Sequence, residues 1–394
     1  MPLNAPPTIT TRRALLCRAC GSATLRPVFS LGAQPLANRY LSESTLTAPE
    51  PRIPLTLQRC AHCTLLQLTH IVAPEALYAE YKFASGVSLG WQRHCAALLD
   101  GRASGRLLDL ASNDGTLVRV ARTLGWDALG VEPTPLGEYP VVRGYWPEAA
   151  AQLPQGKYDL VVAQNVFGHV DDALAFLHAV REVLAPNGRC VIECPDAVAM
   201  LSRGQYDQIY HEHLSYWSLL PLWTLAVRAR LDIVEIEELP IHGGSLRYWL
   251  SHSSDPTPPS YAVTKRLQAE QVLRKPNQAR RFAINANVAL TACTNELLRL
   301  AEAGQRVWAC GASAKSSVVL NALAARYAPM PECVLDDSPL KQGLFTPGTH
   351  LPIVPFQDLS HVNALLLTAW NWADAMKARA REFGFTGRFV MPHA

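Results

Sequence analysis

A chain of 394 residues has room for two or three domains, and 49% hydrophobic against 18% charged residues predicts packed globular cores and excludes a disordered protein. A formal charge of +3, with no Lys/Arg block able to neutralise a run of phosphates, argues against nucleic acid as the main partner. No apolar run reaches the ~18 residues of a membrane helix, and the stretch between Arg13 and Cys17 is too short for a secretion-signal core, so a membrane-free, cytoplasmic protein is expected.

The first chemical signal is early. Cys17/Cys20 and Cys60/Cys63 are Cys-x-x-Cys pairs, a spacing no other cysteines here share. Thiolates two residues apart on a tight turn can grip one metal together, and two such knuckles complete a tetrahedral tetrathiolate site for zinc, or for iron in its place. Four sulfurs leave no open position for water or substrate, so the metal is expected to stabilise the fold and take no part in chemistry. Two disulfides or four unrelated thiols are the competing readings. Cys95, Cys190, Cys194, Cys293, Cys310 and Cys333 lie mostly in apolar segments and are expected to be buried small hydrophobes.

From Arg106 onward short apolar runs alternate with helical patterns, which predicts a doubly wound α/β sheet. Residues 107–111 predict a buried first strand, 112–116 the turn into a helix, and 128–131 a second strand ending on Glu132. The turn exposes backbone N–H groups and an acid follows ~20 residues on at a strand tip, so a ligand with ribose hydroxyls can be held across this edge. A Gly-x-Gly-x-Gly loop would use the positions of Ala111, Asn113 and Gly115, and an ordinary strand–helix turn fits the loop equally well. Further strands are predicted at 158–163, ending in Gln164 and Asn165, and at 190–194, with an amphipathic helix opened by Asp171 and Asp172 between them. Residues 231–237 and 245–251 read as two β-like runs around the loop 240–244.

A Pro/Ser-rich segment, 251–260, marks the next boundary, and 261–303 predicts helix interrupted at Pro276. A second α/β unit follows, with a strand at 306–310, a turn at 311–315 and a helix at 316–325. Backbone amides at that helix start, with Lys315 as a point charge, would suit a phosphate or diphosphate; a surface lysine beside a tight turn has the same pattern.

The motifs Cys17-x-x-Cys20-Gly-Ser, Leu31-Gly-x-Gln-Pro-Leu-Ala-Asn38, Cys60-x-x-Cys63, Ser112-Asn-Asp-Gly-Thr116, Glu212-His-Leu-Ser-Tyr216, His242-Gly-Gly-Ser-Leu-Arg247, Gly311-Ala-Ser-Ala-Lys315 and Lys341-Gln-Gly343 occur in order over nearly the whole chain. Together they resemble the S-adenosylmethionine-dependent C-methyltransferases that act on nucleotide-diphospho-4-keto-6-deoxysugars in making branched deoxysugars. The resemblance implies a zinc-binding module over 1–75, a class I methyltransferase domain with a Rossmann-like core over 76–255, and a C-terminal Rossmann-like domain over 256–394 that helps to hold the sugar nucleotide. It implies S-adenosylmethionine as cofactor, structural zinc, and a thymidine-diphospho sugar methylated at C-3, the commoner position in the family. The oligomeric state is left open by the sequence, a monomer included.

The resemblance also assigns roles. His213 would be the base that takes a proton from the carbon beside the ketone, with Tyr210 and Glu212 beside it and His169 near the substrate. Tyr81, in the aromatic segment 78–86, would donate to the enolate oxygen. Glu132 would hold the cofactor ribose, with Asp109, Ala111, Ser112, Asn113, Asp114, Gly115, Gln164 and Asn165 around the rest of it. His242, Gly243, Ser313, Lys315, Asn321 and Lys341 would face the sugar nucleotide. Three residues depart from the family pattern. Ala111 replaces a glycine, tolerable at negative φ; Ser316 replaces another, and Trp217 stands where phenylalanine is usual. Two other classes compete: an NAD(P)-dependent oxidoreductase with a structural zinc, against which the missing Gly-x-Gly-x-x-Gly spacing counts, and a non-enzymatic zinc-ribbon adaptor, against which the polar cluster 210–213 counts.

Overall fold

The computed structural model describes residues 9–78 and 89–393. Near the N-terminus lie β1 (Thr11–Arg13), β2 (Leu25–Gln34), β3 (Ile53–Cys60), β4 (Leu66–Leu68) and β5 (His70–Val72). In β3 the side chains of Ile53, Leu55 and Leu57 are buried while Pro54 between them is exposed, the alternation of a strand with one face on a core. Strands β2, β3 and β4 pair antiparallel.

The central sheet has seven strands: β6 (Arg106–Leu110), β7 (Asp127–Glu132), β8 (Val141–Arg143), β9 (Tyr158–Gln164) and β10 (Leu184–Pro195) run parallel, and a hairpin from later in the chain joins at β10. Strands β6 and β9 are apolar and buried along nearly their whole length, as expected where helices cover both faces. The chain steps from β6 to β7 and β8 on one side, then returns to lay β9 and β10 on the other, so a crevice opens beyond the strand ends between β6 and β9. The helix after β9 spans Ala173–Val183, with the Asp172 carboxylate accepting from the Ala175 N–H at 2.9 Å. It ends at Val183, where β10 begins.

After β10 the chain leaves the sheet and contributes β11 (Ser215–Tyr216), which pairs with β4 and completes the N-terminal sheet in the order β11-β4-β3-β2. It then returns to the central sheet as β12 (Leu231–Leu239) and β13 (Ser245–His252). Helix Tyr261–Glu270, a short 3-10 turn, and helix Pro276–Glu302 follow, the interruption falling at Pro276 as its missing N–H demands. The last sheet is wholly parallel: β14 (Val307–Cys310), β15 (Val334–Leu335), β16 (Ile353–Val354), β17 (Ala364–Leu367) and β18 (Arg388–Val390).

The three regions share cores. Cys17, Ala19, Cys60 and Leu65 pack in one cluster with Val161, Ile192 and Trp217 of the central region, and Leu55, Leu57 and Leu66 pack with Leu297, Val319 and Leu366. At the end of β10 the fully buried Glu193 carboxylate accepts from Arg247 on β13 at 3.0 Å, from His94 at 2.7 Å and from Gln164 at 3.4 Å. These partners hold its proton affinity below the ordinary carboxylate range despite the desolvation that pushes the other way. Arg247→Met strands that charge, so it should lower unfolding free energy by about 3 kcal/mol, read as a shift in the urea midpoint. A midpoint left unmoved would mean His94 alone can carry the pair.

Candidate functional site

The four sulfurs of Cys17, Cys20, Cys60 and Cys63 lie within 4.8 Å of one another, with Cys17–Cys63 at 3.4 Å and Cys20–Cys60 at 3.5 Å. A tetrahedral Zn–S site with bonds of ~2.3 Å has sulfur–sulfur edges of roughly 3.8 Å, so the donor set fits one zinc and all ten cysteines are free of disulfides. Each knuckle turns on a residue in the left-handed region, Gly21 (φ +76°) and Thr64 (φ +72°). The other six cysteines are buried as expected.

At the central crevice the Glu132 carboxylate, at the tip of β7, accepts from the Asn113 N–H at 2.9 Å and from the Thr134 N–H at 3.1 Å. Thr134 Oγ1 donates as well, at 3.4 Å, so of the about four acceptor positions of a carboxylate one remains for a ribose hydroxyl. The loop's backbone is the surface offered to a ligand. Ser112 Oγ lies 3.0 Å from the Tyr139 hydroxyl, and Asp114 accepts from Thr116 Oγ1 at 2.6 Å. Gly115 (φ +74°) must be glycine, since a Cβ would stand 2.3 Å from the Tyr139 ring. Ala111 has φ +58°, not the negative value its methyl prefers; Asn113 shares the region at φ +51°. Left-handed backbone costs a non-glycine residue roughly 1 kcal/mol. Asn165 Oδ1, beyond β9, is buried without a hydrogen bond among the described residues, and Gln164 beside it reaches Glu193. Asp109 is fully enclosed, and burial, with Glu132 and Asp114 nearby, holds its carboxyl well above the ordinary range. An adenosyl cofactor fits this donor set: an acid for the ribose, loop amides, and an orphaned amide oxygen.

The histidine cluster sits on the segment between β10 and β11. His213 Nδ1 is 2.9 Å from the Gln208 carbonyl, which can only accept, so this nitrogen carries the proton and Nε2 keeps its lone pair. Nε2 meets the Tyr210 hydroxyl at 2.6 Å. The His169 ring packs edge-on at 5.1 Å, and its Nδ1 is 2.9 Å from the Tyr78 hydroxyl. Burial, then the neighbouring His169 and Lys315, keep the proton affinity of His213 well below 6.5, and burial lowers His169 to about 4. Both rings are neutral at pH 7. Glu212 departs from expectation. Its carboxylate turns away from His213 to accept both oxygens' bonds from the Asn38 amide at 2.8 Å, and burial raises it to about 7. Tyr81 lies outside the described residues.

On the C-terminal side Asp336, beyond β15, accepts from the Ala312 N–H at 2.7 Å, the same device as Glu132 and Asn113. Lys341 donates to the Ala312 carbonyl at 2.7 Å. Ser313 caps helix Ala314–Ala324 through the Ser316 N–H. Asn321 differs from expectation, for its amide nitrogen donates to the Ser317 and Pro347 carbonyls at 2.8 and 2.9 Å and so fastens the 347–348 turn. The helix begins two residues earlier than expected, which puts Lys315 in its first turn, 8% exposed and 5.1 Å from the Trp370 ring. Trp370 also packs on Gly243, where a Cβ would come within 2.4 Å, and His242, in the left-handed region at φ +54°, is lowered to about 4 by burial and by Lys315.

Sequence reasoning missed several members. Gln208, which sets the His213 tautomer, lies five residues away with no spacing signal; Asp207, Trp370 and His393 meet only through tertiary packing. Asn38 stood inside a recognised motif, and its role was readable only once β2 and β3 had folded. Because Glu212 titrates near 4.5 when unfolded and near 7 when buried, stability should fall as pH rises from 4.5 through 7. Glu212→Gln should flatten that part of the curve in urea denaturation at a series of pH values, and an unchanged slope would clear Glu212 as its source.

Residues 17–78 match the family described as "Putative zinc binding domain", residues 83–236 the "Methyltransferase domain", and residues 240–393 the "C-methyltransferase C-terminal domain". The C-methyltransferase NovU of Streptomyces niveus is 30% identical over 95% of this chain and 94% of its own length. The ubiquinone biosynthesis O-methyltransferase of Psychrobacter cryohalolentis is 28% identical over 27% of this chain and 46% of its own. Among solved structures, the glycopeptide N-methyltransferase MtfA with S-adenosylhomocysteine overlaps 44% of this chain and 90% of its own at 14% identity and a TM-score of 0.34, an overlap that adds nothing to the assignment. The oxidoreductase and adaptor alternatives fall with these matches. Extending from the zinc module to the last strand, the match to NovU makes this chain a member of the C-methyltransferase family, an S-adenosylmethionine-dependent enzyme with a structural zinc site.

Proposed function

We propose that this enzyme methylates the ring carbon beside the ketone of a nucleotide-diphospho-4-keto-6-deoxyhexose, at C-3 and with thymidine as base, in the cytoplasmic synthesis of a branched deoxysugar. The observation that carries the reading is the state of His213: buried, neutral, Nδ1 protonated by contact with the Gln208 carbonyl, and Nε2 presented as a base. A carbon beside a ketone loses a proton readily because the electron pair delocalises onto oxygen, and a neutral imidazole with a fixed lone pair is the group suited to taking it. Tyr210, which touches Nε2, is freed to donate to the ketone oxygen when substrate takes its place. His169 and Tyr78 line the same wall. When bound at Glu132 and the 111–115 loop, S-adenosylmethionine supplies an electrophilic methyl group. Ser313 and the cation of Lys341, with His242 and Gly243, are the proposed seat of the sugar nucleotide.

His213→Asn should abolish deuterium exchange from solvent into the carbon beside the ketone while S-adenosylhomocysteine still protects the protein against thermal unfolding. Exchange at the wild-type rate in that variant removes His213 from its role. In the wild type, exchange should stay level as pH falls through 6.5, where an ordinary histidine gains its proton, because the folded ring titrates well below that value. A half-rate point at 6.5 would contradict the buried neutral base.

A further inference from the structure

One charge in this site has no counterpart in contact with it. Lys315 Nζ is buried and has no hydrogen bond among the described residues, although its side chain is at the start of a helix whose neighbours are all satisfied. Taking an ammonium out of water costs several kcal/mol unless an anion receives it. The nearest compensation is Asp207, which is wholly buried and already held by His393 at 2.8 Å and by the Trp370 indole, so it balances the charge without bonding it. Lys315 therefore keeps its donors for something absent from the chain. Three surroundings tell where they point. The Trp370 ring lies 5.1 Å from the ammonium itself, and Trp370 packs against Gly243, next to His242. Gln208 joins the His242 carbonyl to the His213 ring, and Lys315 adds to the burial that lowers the proton affinity of both histidines. Lys341, the other cation of this region, is instead engaged with the Ala312 carbonyl and Asp336 on the far side of the 311–313 loop.

We propose that Lys315 is a catalytic residue whose ammonium stabilises the enolate oxygen of the substrate, and that it is not an anchor for the diphosphate. The proposal rests on the reading of His213 as the enolising base. In the step it serves, the C–H bond beside the ketone breaks, its proton goes to His213 Nε2, and the electron pair moves through the new C=C bond onto the ketone oxygen. Lys315 donates a hydrogen bond to that oxygen and keeps all its protons. When the carbon takes the methyl group, the S–CH3 bond breaks and its electron pair stays on sulfur, which leaves S-adenosylhomocysteine; the enolate pair forms the new C–C bond, the C=O bond re-forms, and the ammonium is left as it was. Placing the cation in a dry pocket makes it worth far more to a developing oxyanion than it would be in water, and its charge also keeps the neighbouring histidines unprotonated, which is the form a base needs.

The test is deuterium exchange at the carbon beside the ketone of thymidine-diphospho-4-keto-6-deoxyglucose, measured in heavy water with S-adenosylhomocysteine bound. Lys315→Met, which keeps length and burial, should slow exchange roughly 100-fold while calorimetric affinities for thymidine diphosphate and S-adenosylhomocysteine stay within about threefold of wild type. Lys315→Arg, which keeps the charge, should recover part of the exchange. Exchange at the wild-type rate in Lys315→Met overturns the proposal. So does a loss of thymidine diphosphate affinity in step with exchange, which would return Lys315 to the diphosphate. A wild-type protein that exchanges no deuterium removes the enolising reading itself, and is distinguishable from both.

Discussion

Everything in the site depends on how residues 205–216 are held, for this segment has little regular structure of its own and carries His213, the proposed base. It is pinned from three directions. The N-terminal module takes Ser215 and Tyr216 as an edge strand against β4, receives the His211 ring N–H on the Ile53 carbonyl at 3.1 Å, and meets Glu212 with Asn38. Arg18, between the two cysteines of the first knuckle, donates to the Leu214 carbonyl at 3.2 Å. From the C-terminal side, His393 and Trp370 close on Asp207. The central sheet supplies the third face, with the Ala197 N–H on the Trp217 carbonyl and Gln208 on the carbonyl of His242. An irregular segment stays put only where its polar groups are met, and here each unit meets some of them.

The same enclosure sets the electrostatics. Three histidines and a lysine gather in a region only partly open to water, and like charges so close in a poor dielectric cannot all be carried. The protein resolves this by leaving the imidazoles neutral and the lysine charged, with the Asp207 carboxylate balancing it from the second side of Trp370. The cofactor crevice follows a parallel logic with opposite sign. Asp109, Glu132 and Asp114 lie close together, and the first is kept protonated by its burial so that Glu132 can act as the acceptor.

Much of this was legible from the residues alone. Buried parallel strands announce themselves as unbroken apolar runs, so β6, β9 and the acid at the tip of β7 were found, and cysteine spacing is a local property that survives folding intact. Legibility failed where a side chain's role depends on what comes to meet it. Glu212 adjoins His213 in the chain, and adjacency suggested partnership; the two lie in a turn closed by the His213 N–H on the Tyr210 carbonyl, and it is Asn38, from far off in the chain, that meets the Glu212 carboxylate. Lys315 read equally as a charge for a phosphate or as a surface lysine beside a turn; its helix starts two residues earlier than expected, and the side chain is buried in the first turn. At Ala111 a methyl was expected to be tolerable at negative φ, whereas φ is +58°, in a turn that the Asn113 amide on Glu132 and the Tyr139 hydroxyl on the Asn113 carbonyl hold.

The tetrathiolate knuckle carries a consequence beyond folding. Arg18 lies between two of its sulfurs and reaches the backbone one residue beyond His213, so the metal fixes the origin from which the base is positioned. Loss of the metal would therefore be felt beyond the module it staples, at a segment that no ligand of the ion belongs to.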